Sequence, residues 1–390
     1  MSISRCTHAN IAAAFFSTLP VKTIHIRTAS ANYPVVCGRG VLSRLGKLVD
    51  EARAGGNVFV LSSPTVWRFC GRAVMRGLGG VPAERVILFN DREAAKRLAT
   101  VEEICRSLVR ARADRQALLV AVGGGVVGDV AGFAAASYLR GVRVLHVPTT
   151  MVAQTDSAIG GKTGVDLPEG KNLIGAFYQP QMMLADPLLL RTLAARQFRS
   201  GLYEVIKYGV IGDSELFEFL ERKLDLLLRM DMRALEWVID RCVRQKAAIV
   251  SRDEREAGPR QILNFGHTMG HALEAVTRYR KFLHGEAVAW GILGASLIGV
   301  GSGSITEHDA SRIASLVARC GNLPELPRIS PAALSRAIAG DKKSRGGRVR
   351  WVLPRRIGAA DMGVDVPEKL VAMTWRELSA FFARARDGQQ

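Results

Sequence analysis

The sequence predicts an α/β amino-terminal domain with a mostly parallel, dinucleotide-binding sheet, followed by an all-α carboxyl-terminal domain, with the active site in the cleft between them. Three observations carry this. Short apolar strands alternate with helical stretches from about Val21 to Ala195, the pattern of a parallel sheet with helices on its faces. One of these strands runs directly into a glycine-rich turn, Gly123-Gly124-Gly125-Val126-Val127-Gly128-Asp129. After about Arg196 the strand patterns stop, and apolar residues recur at helical spacing.

In chain order, residues 22–36 alternate and supply an extra strand. Residues 57–61, 85–89, 117–122 and 142–147 are short runs rich in Val, Ile, Leu and Phe, as strands covered on both faces must be. Residues 65–77, 100–112 and 126–139 are the intervening helices. In the second half, residues 216–230, 233–250, 268–276, 287–298, 309–320 and 332–339 have helical apolar spacing, and 349–353 form a short strand. The longest strongly apolar run, Ala287 to Val300, falls short of the roughly 20 residues that a membrane span needs. It reads as a buried helix in which Gly291, Gly294 and Gly299 permit close packing.

A length of 390 residues suggests two domains, at 22–196 and 197–390, with 1–21 a mobile extension. No long Gly/Ser/Pro linker separates them, so they pack tightly and a site between them is expected. The apolar patch at 11–16 is shorter than the about 7–15 residues of a secretory signal core, and no small-residue cleavage site follows it. The six cysteines (Cys6, Cys37, Cys70, Cys105, Cys242 and Cys320) are scattered, which argues against a disulfide framework or thiolate zinc site and for a reducing cytoplasm. The net charge of +18 raises the question of nucleic acid. No zinc finger, basic helix repeat or aromatic-interleaved stripe is present, so no nucleic-acid partner and no membrane partner are expected.

Glycines at 123, 125 and 128 let a backbone approach phosphate without a Cβ in the way, and the helix that follows offers free N–H groups at its start. Thr149 and Thr150 end the next strand and offer hydroxyls to the same ligand. Gly161-Lys162-Thr163 resembles the tail of a P-loop, but Asp156 stands where that motif needs its first glycine.

Three dense polar motifs hold Glu204, His267 and His284. One carboxylate and two imidazoles suffice for a zinc-type ion with a position left open. His267 and His271, four apart on a helix, share a face, and spacing alone would make both ligands. The metalloprotease pattern is excluded because Thr268, not Glu, follows the first histidine. Lys162, Lys171, Lys207, Lys246, Arg260, Lys342, Lys343 and Arg345 together suggest a pocket for a small acid that carries phosphate.

These motifs resemble the 3-dehydroquinate synthase family of sugar-phosphate cyclases. The likeness rests on the glycine turn from 123, Pro148-Thr149-Thr150, Asp156 through the Gly-Gly-Lys-Thr-Gly-Val-Asp run, the Gly-Lys-Asn-Leu-Ile-Gly-Ala-Phe-Tyr-Gln-Pro run from 170, Glu204 to Gly209, Leu263 to His267, Leu283 to Val288, and Asp341-Lys342-Lys343. The resemblance implies an NAD-binding domain, a helical domain, and a zinc or cobalt ion held by Glu204, His267 and His284. It makes His271 catalytic rather than a ligand. It also implies catalytic roles for Asn264, Lys162, Lys207 and Arg260, and substrate contacts from Arg140, Asp156, Asn172, Lys246 and Lys342. NAD would meet Glu93, Lys96, Gly124, Gly125, Asp129, Thr149, Thr150, Lys162, Lys171 and Thr192.

The implied reaction turns 3-deoxy-arabino-heptulosonate 7-phosphate, a small sugar-phosphate acid, into 3-dehydroquinate and phosphate. It proceeds through transient oxidation by NAD, β-elimination, re-reduction, ring opening and an intramolecular aldol step, in a homodimer. Other sugar-phosphate cyclases and metal- and NAD-dependent polyol dehydrogenases are the alternatives. Ser63 stands where the family often carries Asp for the adenosine ribose; Ala194, Gln197 and Tyr203 also depart from the family pattern.

Overall fold

The computed structural model describes residues 21–51, 57–340 and 349–387, so the expectations for 1–20 and for Lys342, Lys343 and Arg345 fall outside the described residues. The first half contains β1 (Lys22–Arg27), β2 (Asn32–Cys37), α1 (Leu45–Glu51), β3 (Val58–Ser62), α2 (Pro64–Leu78), β4 (Val86–Leu88), α3 (Leu98–Arg110), β5 (Leu118–Gly123), α4 (Gly125–Ser137) and β6 (Arg143–Pro148). It continues with β7 (Lys162–Leu167), β8 (Gly170–Phe177) and β9 (Met182–Ala185). One sheet has the order β1-β2-β9-β6-β5-β3-β4; β1 and β2 pair antiparallel and the other pairs are parallel.

The central strand β5 is buried at every position, and its side chains alternate between two cores. Leu119 and Ala121 pack with Val101, Ile104 and Leu108 of α3 and Val127 and Val130 of α4. Leu118, Val120 and Val122 pack on the other face with Leu45 and Leu48 of α1 and Cys70 and Val74 of α2. A strand covered on both sides must be apolar throughout, which is why the predicted run carries no alternation. From β3 the chain first adds β4 on one side, then returns to place β5 on the other. That reversal opens a crevice at the carboxyl ends of β3 and β5, where ligands of this fold class bind.

The second half contains α5 (Ala195–Gly212), α6 (Ser214–Leu228), α7 (Met232–Arg252), α8 (His267–Val276), α9 (His284–Gly301), α10 (Glu307–Cys320) and α11 (Pro331–Ala339). A hairpin, β10 (Trp351–Arg356) with β11 (Ala359–Val364), and α12 (Glu368–Asp387) complete it. Asp213, Asp231, Thr306 and Ser330 cap α6, α7, α10 and α11 by accepting from first-turn N–H groups. The expected buried helix is α9, covered on all sides. A Cβ on Gly291 would overlap the carbonyl of Gly266, and Gly266 itself sits at φ 76°. This contact lets α8 and α9 approach closely at the residue before His267. One large core joins the halves: Ile24, Ile26, Tyr33 and Val35 of β1 and β2 pack in the same cluster as Leu235 and Ile239 of α7.

Several elements go beyond the sequence reading. Residues 162–177 form a separate β7–β8 hairpin, α5 carries the Glu204 motif, and α1, β9, β11 and α12 are further additions; the one extra strand expected over 22–36 is instead the antiparallel pair β1 and β2. Among the described residues no helix is long and apolar enough to cross a membrane.

Candidate active site

The turn after β5 opens the site. Gly124 is the N-cap of α4, and no side chain among the described residues caps the helix, which leaves its first-turn N–H groups for a ligand. A Cβ at Gly124 would come within 2.9 Å of Thr150 Cγ2, and one at Gly125 would lie 3.4 Å from Ser157 Oγ. The cleft here is lined by Gly123, Gly125, Asp129, Pro148, Ser157 and Lys162 among others. A glycine cradle that side chains would fill, at an uncapped helix start, fits the pyrophosphate of NAD.

The other nucleotide candidates surround this turn. Thr149 donates its N–H to Gly123 O at 2.9 Å, and Thr150 Oγ1 accepts from Ala153 N at 3.2 Å. Asp129 lies 2.5 Å from Lys96 Nζ; burial pushes its carboxyl up, and Lys96 opposes that. Lys96 also donates to Asn172 Oδ1. Asn172 sits at φ 52°, held there by its N–H donating to Asp166 at 2.8 Å. Thr192 ends the short turn Pro187–Thr192 and donates to Leu189 O. Ser63 does not leave the crevice without a carboxylate: its hydroxyl donates to Asp91 Oδ2 at 2.8 Å. Sequence reasoning missed Asp91 because it follows β4 rather than β3.

The helical half brings the metal candidates to one point. Glu204 Oε1 lies 3.2 Å from His284 Nε2 and 3.7 Å from His267 Nε2. The opposite ring nitrogens are already engaged: His267 Nδ1 with Phe265 O at 3.0 Å, and His284 Nδ1 with Glu274 Oε2 at 3.1 Å. Outer groups thus hold both rings so that Nε2 and a carboxylate oxygen converge, the pattern of metal-binding histidines. This donor set fits zinc or cobalt. His271, whose ring centre lies 5.4 Å from that of His267 and 6.0 Å from that of His284, stands beside the cluster. His271, Glu274 and His284 also offer atoms within 4.8 Å of one another, but there Glu274 is matched by Lys171 at 3.0 Å.

Charge pairing organises the floor of the site. Lys207 Nζ lies 2.7 Å from Glu204 Oε2 and 2.8 Å from Asp156 Oδ2, and Lys246 pairs with Asp156 Oδ1. Burial would raise the Asp156 carboxyl, but Lys207 and Lys246 hold it well below the usual carboxylate range. Burial likewise opposes ionisation of Glu204, and Lys207 with the two imidazoles overcomes it. Burial also pushes Lys246 down, offset only in part by Asp156.

A third group lies at the mouth. Glu256, at φ 58°, pairs with Lys162 and accepts from Asn264 Nδ2 at 2.7 Å. Its carboxylate therefore bridges two residues expected to meet an anionic substrate. The signal that could have found it is its place between Lys246 and Asn264 in a charged loop. Arg260 is fully buried, and its Nη atoms donate to Gly160 O at 3.2 Å and Glu254 O at 2.5 Å. Its Nε has no partner among the described residues. Arg140 is not brought to this cluster: it follows α4, at the opposite end of the helix from the glycine turn.

Models of the 3-dehydroquinate synthase N-terminal and C-terminal regions match residues 86–200 and 201–344. The chain is 43% identical over 357 residues to a 3-dehydroquinate synthase of Koribacter versatilis, covering 91% of this chain and 97% of that protein. It is 42% identical over 356 residues to one of Solibacter usitatus, covering 91% and 99%. Among solved structures it is similar to 2-epi-5-epi-valiolone synthase from Streptomyces hygroscopicus subsp. jinggangensis with NAD+ and Zn2+ bound, with a TM-score of 0.82, 29% identity and coverage of 90% and 97%. A 2-deoxy-scyllo-inosose synthase complexed with carbaglucose-6-phosphate, NAD+ and Co2+ gives a TM-score of 0.81 at 28% identity, covering 91% and 99%. Glycerol dehydrogenase from Schizosaccharomyces pombe shares the fold at a TM-score of 0.62 and 16% identity, covering 90% of each chain.

Proposed function

The chain belongs to the 3-dehydroquinate synthase family, and from that premise we propose that it converts 3-deoxy-arabino-heptulosonate 7-phosphate to 3-dehydroquinate and phosphate. The observation that carries the reading is the convergence of Glu204, His267 and His284 in the same chain as the glycine cradle after β5. When bound, NAD would accept and return a hydride while zinc or cobalt polarises the substrate hydroxyls as a Lewis acid.

The chain's own residues supply position and charge. Glu204, His267 and His284 would hold the cation. Gly124, Gly125, Asp129, Thr149 and Thr150, with Glu93, Lys96, Lys171 and Thr192, would seat the dinucleotide. Asp156, kept ionised by Lys207 and Lys246, would accept hydrogen bonds from substrate hydroxyls. Lys162 and Asn264 would receive an anionic group in place of the Glu256 carboxylate they now share, joined by Lys246, Asn172 and Lys342. Arg260 would add charge at the same floor, with Nε as its remaining donor. His271 would move protons beside the cation. This division of labour assigns residues 22–196 to the nucleotide and 197–390 chiefly to metal and substrate. A homodimer in the cytoplasm completes the proposal, and Arg140, which lies away from the cluster, is left out of the substrate contacts.

Purified protein incubated with the heptulosonate phosphate, NAD and cobalt should release phosphate and a carbocyclic product in equal amounts without accumulating NADH. NADH rising in step with turnover, or turnover of glycerol instead, would place the chain among polyol dehydrogenases.

A further inference from the structure

One buried carboxylate at the site has no role in the reading above. Glu274 follows His267 by two turns along α8 and is 3% exposed. Its Oε2 lies 3.1 Å from His284 Nδ1, and its Oε1 lies 3.0 Å from Lys171 Nζ. Lys171 Nζ in turn lies 3.0 Å from Glu93 Oε1 and over the ring of Tyr279, 4.7 Å from its centre. We propose that Glu274 is a positioning residue that fixes His284 as a metal ligand, and that Glu93–Lys171–Glu274 ties dinucleotide binding to metal binding. The proposal rests on the assignment of His284 to the metal and of Glu93 and Lys171 to the dinucleotide.

The two ligand histidines are held differently. His267 Nδ1 meets a neutral backbone carbonyl, whereas His284 Nδ1 meets a carboxylate. With a metal bound, a carboxylate acceptor keeps the proton on Nδ1, frees the Nε2 lone pair for the cation beside Glu204, and makes the imidazole a stronger donor. A buried carboxylate is stable only if paired, and Lys171 supplies the countercharge. Lys171 is also the one residue of this chain of contacts that faces both a proposed nucleotide contact and the outer partner of a metal ligand. An anionic cofactor that alters the charge balance at Glu93 and Lys171 is felt at His284 across successive contacts of 3.0 Å and 3.1 Å. By linkage, the metal changes dinucleotide affinity by the same factor.

The test is cobalt titration of the full-length protein, followed by visible absorption and by competition with a chelator, with and without NAD. It compares wild type with Glu274→Gln, Lys171→Met and His284→Ala, each checked for helical content and melting. Glu274→Gln should still bind one cobalt per chain, about 10–100-fold more weakly and with a shifted d–d band. NAD should change the cobalt Kd of wild type but not that of Lys171→Met, a comparison that stands even if Glu274→Gln folds poorly. Wild-type affinity and spectrum in Glu274→Gln would overturn the positioning role. Cobalt stoichiometry falling from two to one there would make Glu274 a ligand and overturn it as well. An equal NAD effect in wild type and Lys171→Met, or none in wild type, would overturn the link. Cobalt retained unchanged in His284→Ala would instead locate the failure in the metal assignment beneath the proposal.

Discussion

Divalent-metal affinity should rise steeply with pH well above the range in which an ordinary histidine titrates. Burial disfavours a charged His284 ring, but Glu274 and Glu204 outweigh it and push its pKa up to about 10 in the metal-free protein. A ligand imidazole must be neutral, so metal binding displaces that proton. Below about pH 10, each unit of falling pH makes the displacement about tenfold harder, or about 1.4 kcal/mol. Affinity at about pH 8 is then about 100-fold below its plateau, whereas an imidazole of ordinary pKa, about 6.5, would cost almost nothing there. For stability of the metal-free protein the sign reverses: the His284 contribution is complete below about pH 6.5 and is lost as pH rises through about 10. The assay is cobalt binding in competition with a chelator of known pH dependence. A metal affinity that is flat from about pH 7.5 to about pH 9 would refute the reasoning.

Four further outcomes are expected. Asp156→Asn leaves the buried Lys207 and Lys246 without their shared carboxylate, and denaturant melts should show about 3–5 kcal/mol lost; a loss below about 1 kcal/mol contradicts the pairing. Gly291→Ala drives a methyl into the Gly266 carbonyl beside His267, so melting temperature and cobalt affinity should fall together, and a variant matching wild type in both contradicts the close approach of α8 and α9. Glu256→Gln should tighten inorganic phosphate binding severalfold by calorimetry, because Lys162 and Asn264 lose a competing carboxylate; an unchanged Kd contradicts that competition. Ser63→Ala removes the cap on Val66 N–H and the hold on Asp91, so about 1 kcal/mol of stability and part of the NAD affinity should go; unchanged NAD affinity would sever Asp91 from the nucleotide.

The sheet was legible in the sequence because a strand buried on both faces, such as β5, must be apolar without interruption. The amphipathic helices were legible for the complementary reason. Helix α5 was not: most of its residues are buried, and Glu204 and Lys207 lie among them, so no apolar stripe stands out. The β7–β8 hairpin hid because β8 leaves residues such as Asn172 and Leu173 exposed and pairs with β7 alone, apart from the main sheet. At the site, Glu204, His267 and His284 were found from their motifs, and the structure brings their donor atoms together. Spacing favoured His271 as a ligand with His267, since helical periodicity reports a shared face and not where each ring nitrogen points. Glu274, Glu256 and Asp91 were missed because the partners that give them a role, His284, Lys162 and Ser63, lie 10, 94 and 28 residues away along the chain, and only folding sets them together.

The most direct measurement of the central claim is X-ray absorption at the cobalt edge of the cobalt-loaded protein with NAD. The account predicts one cobalt per chain, with two imidazole nitrogens and at least one oxygen at about 2.0–2.2 Å, unchanged by His271→Gln. A shell that loses an imidazole in His271→Gln, or that keeps both in His284→Ala, would contradict it.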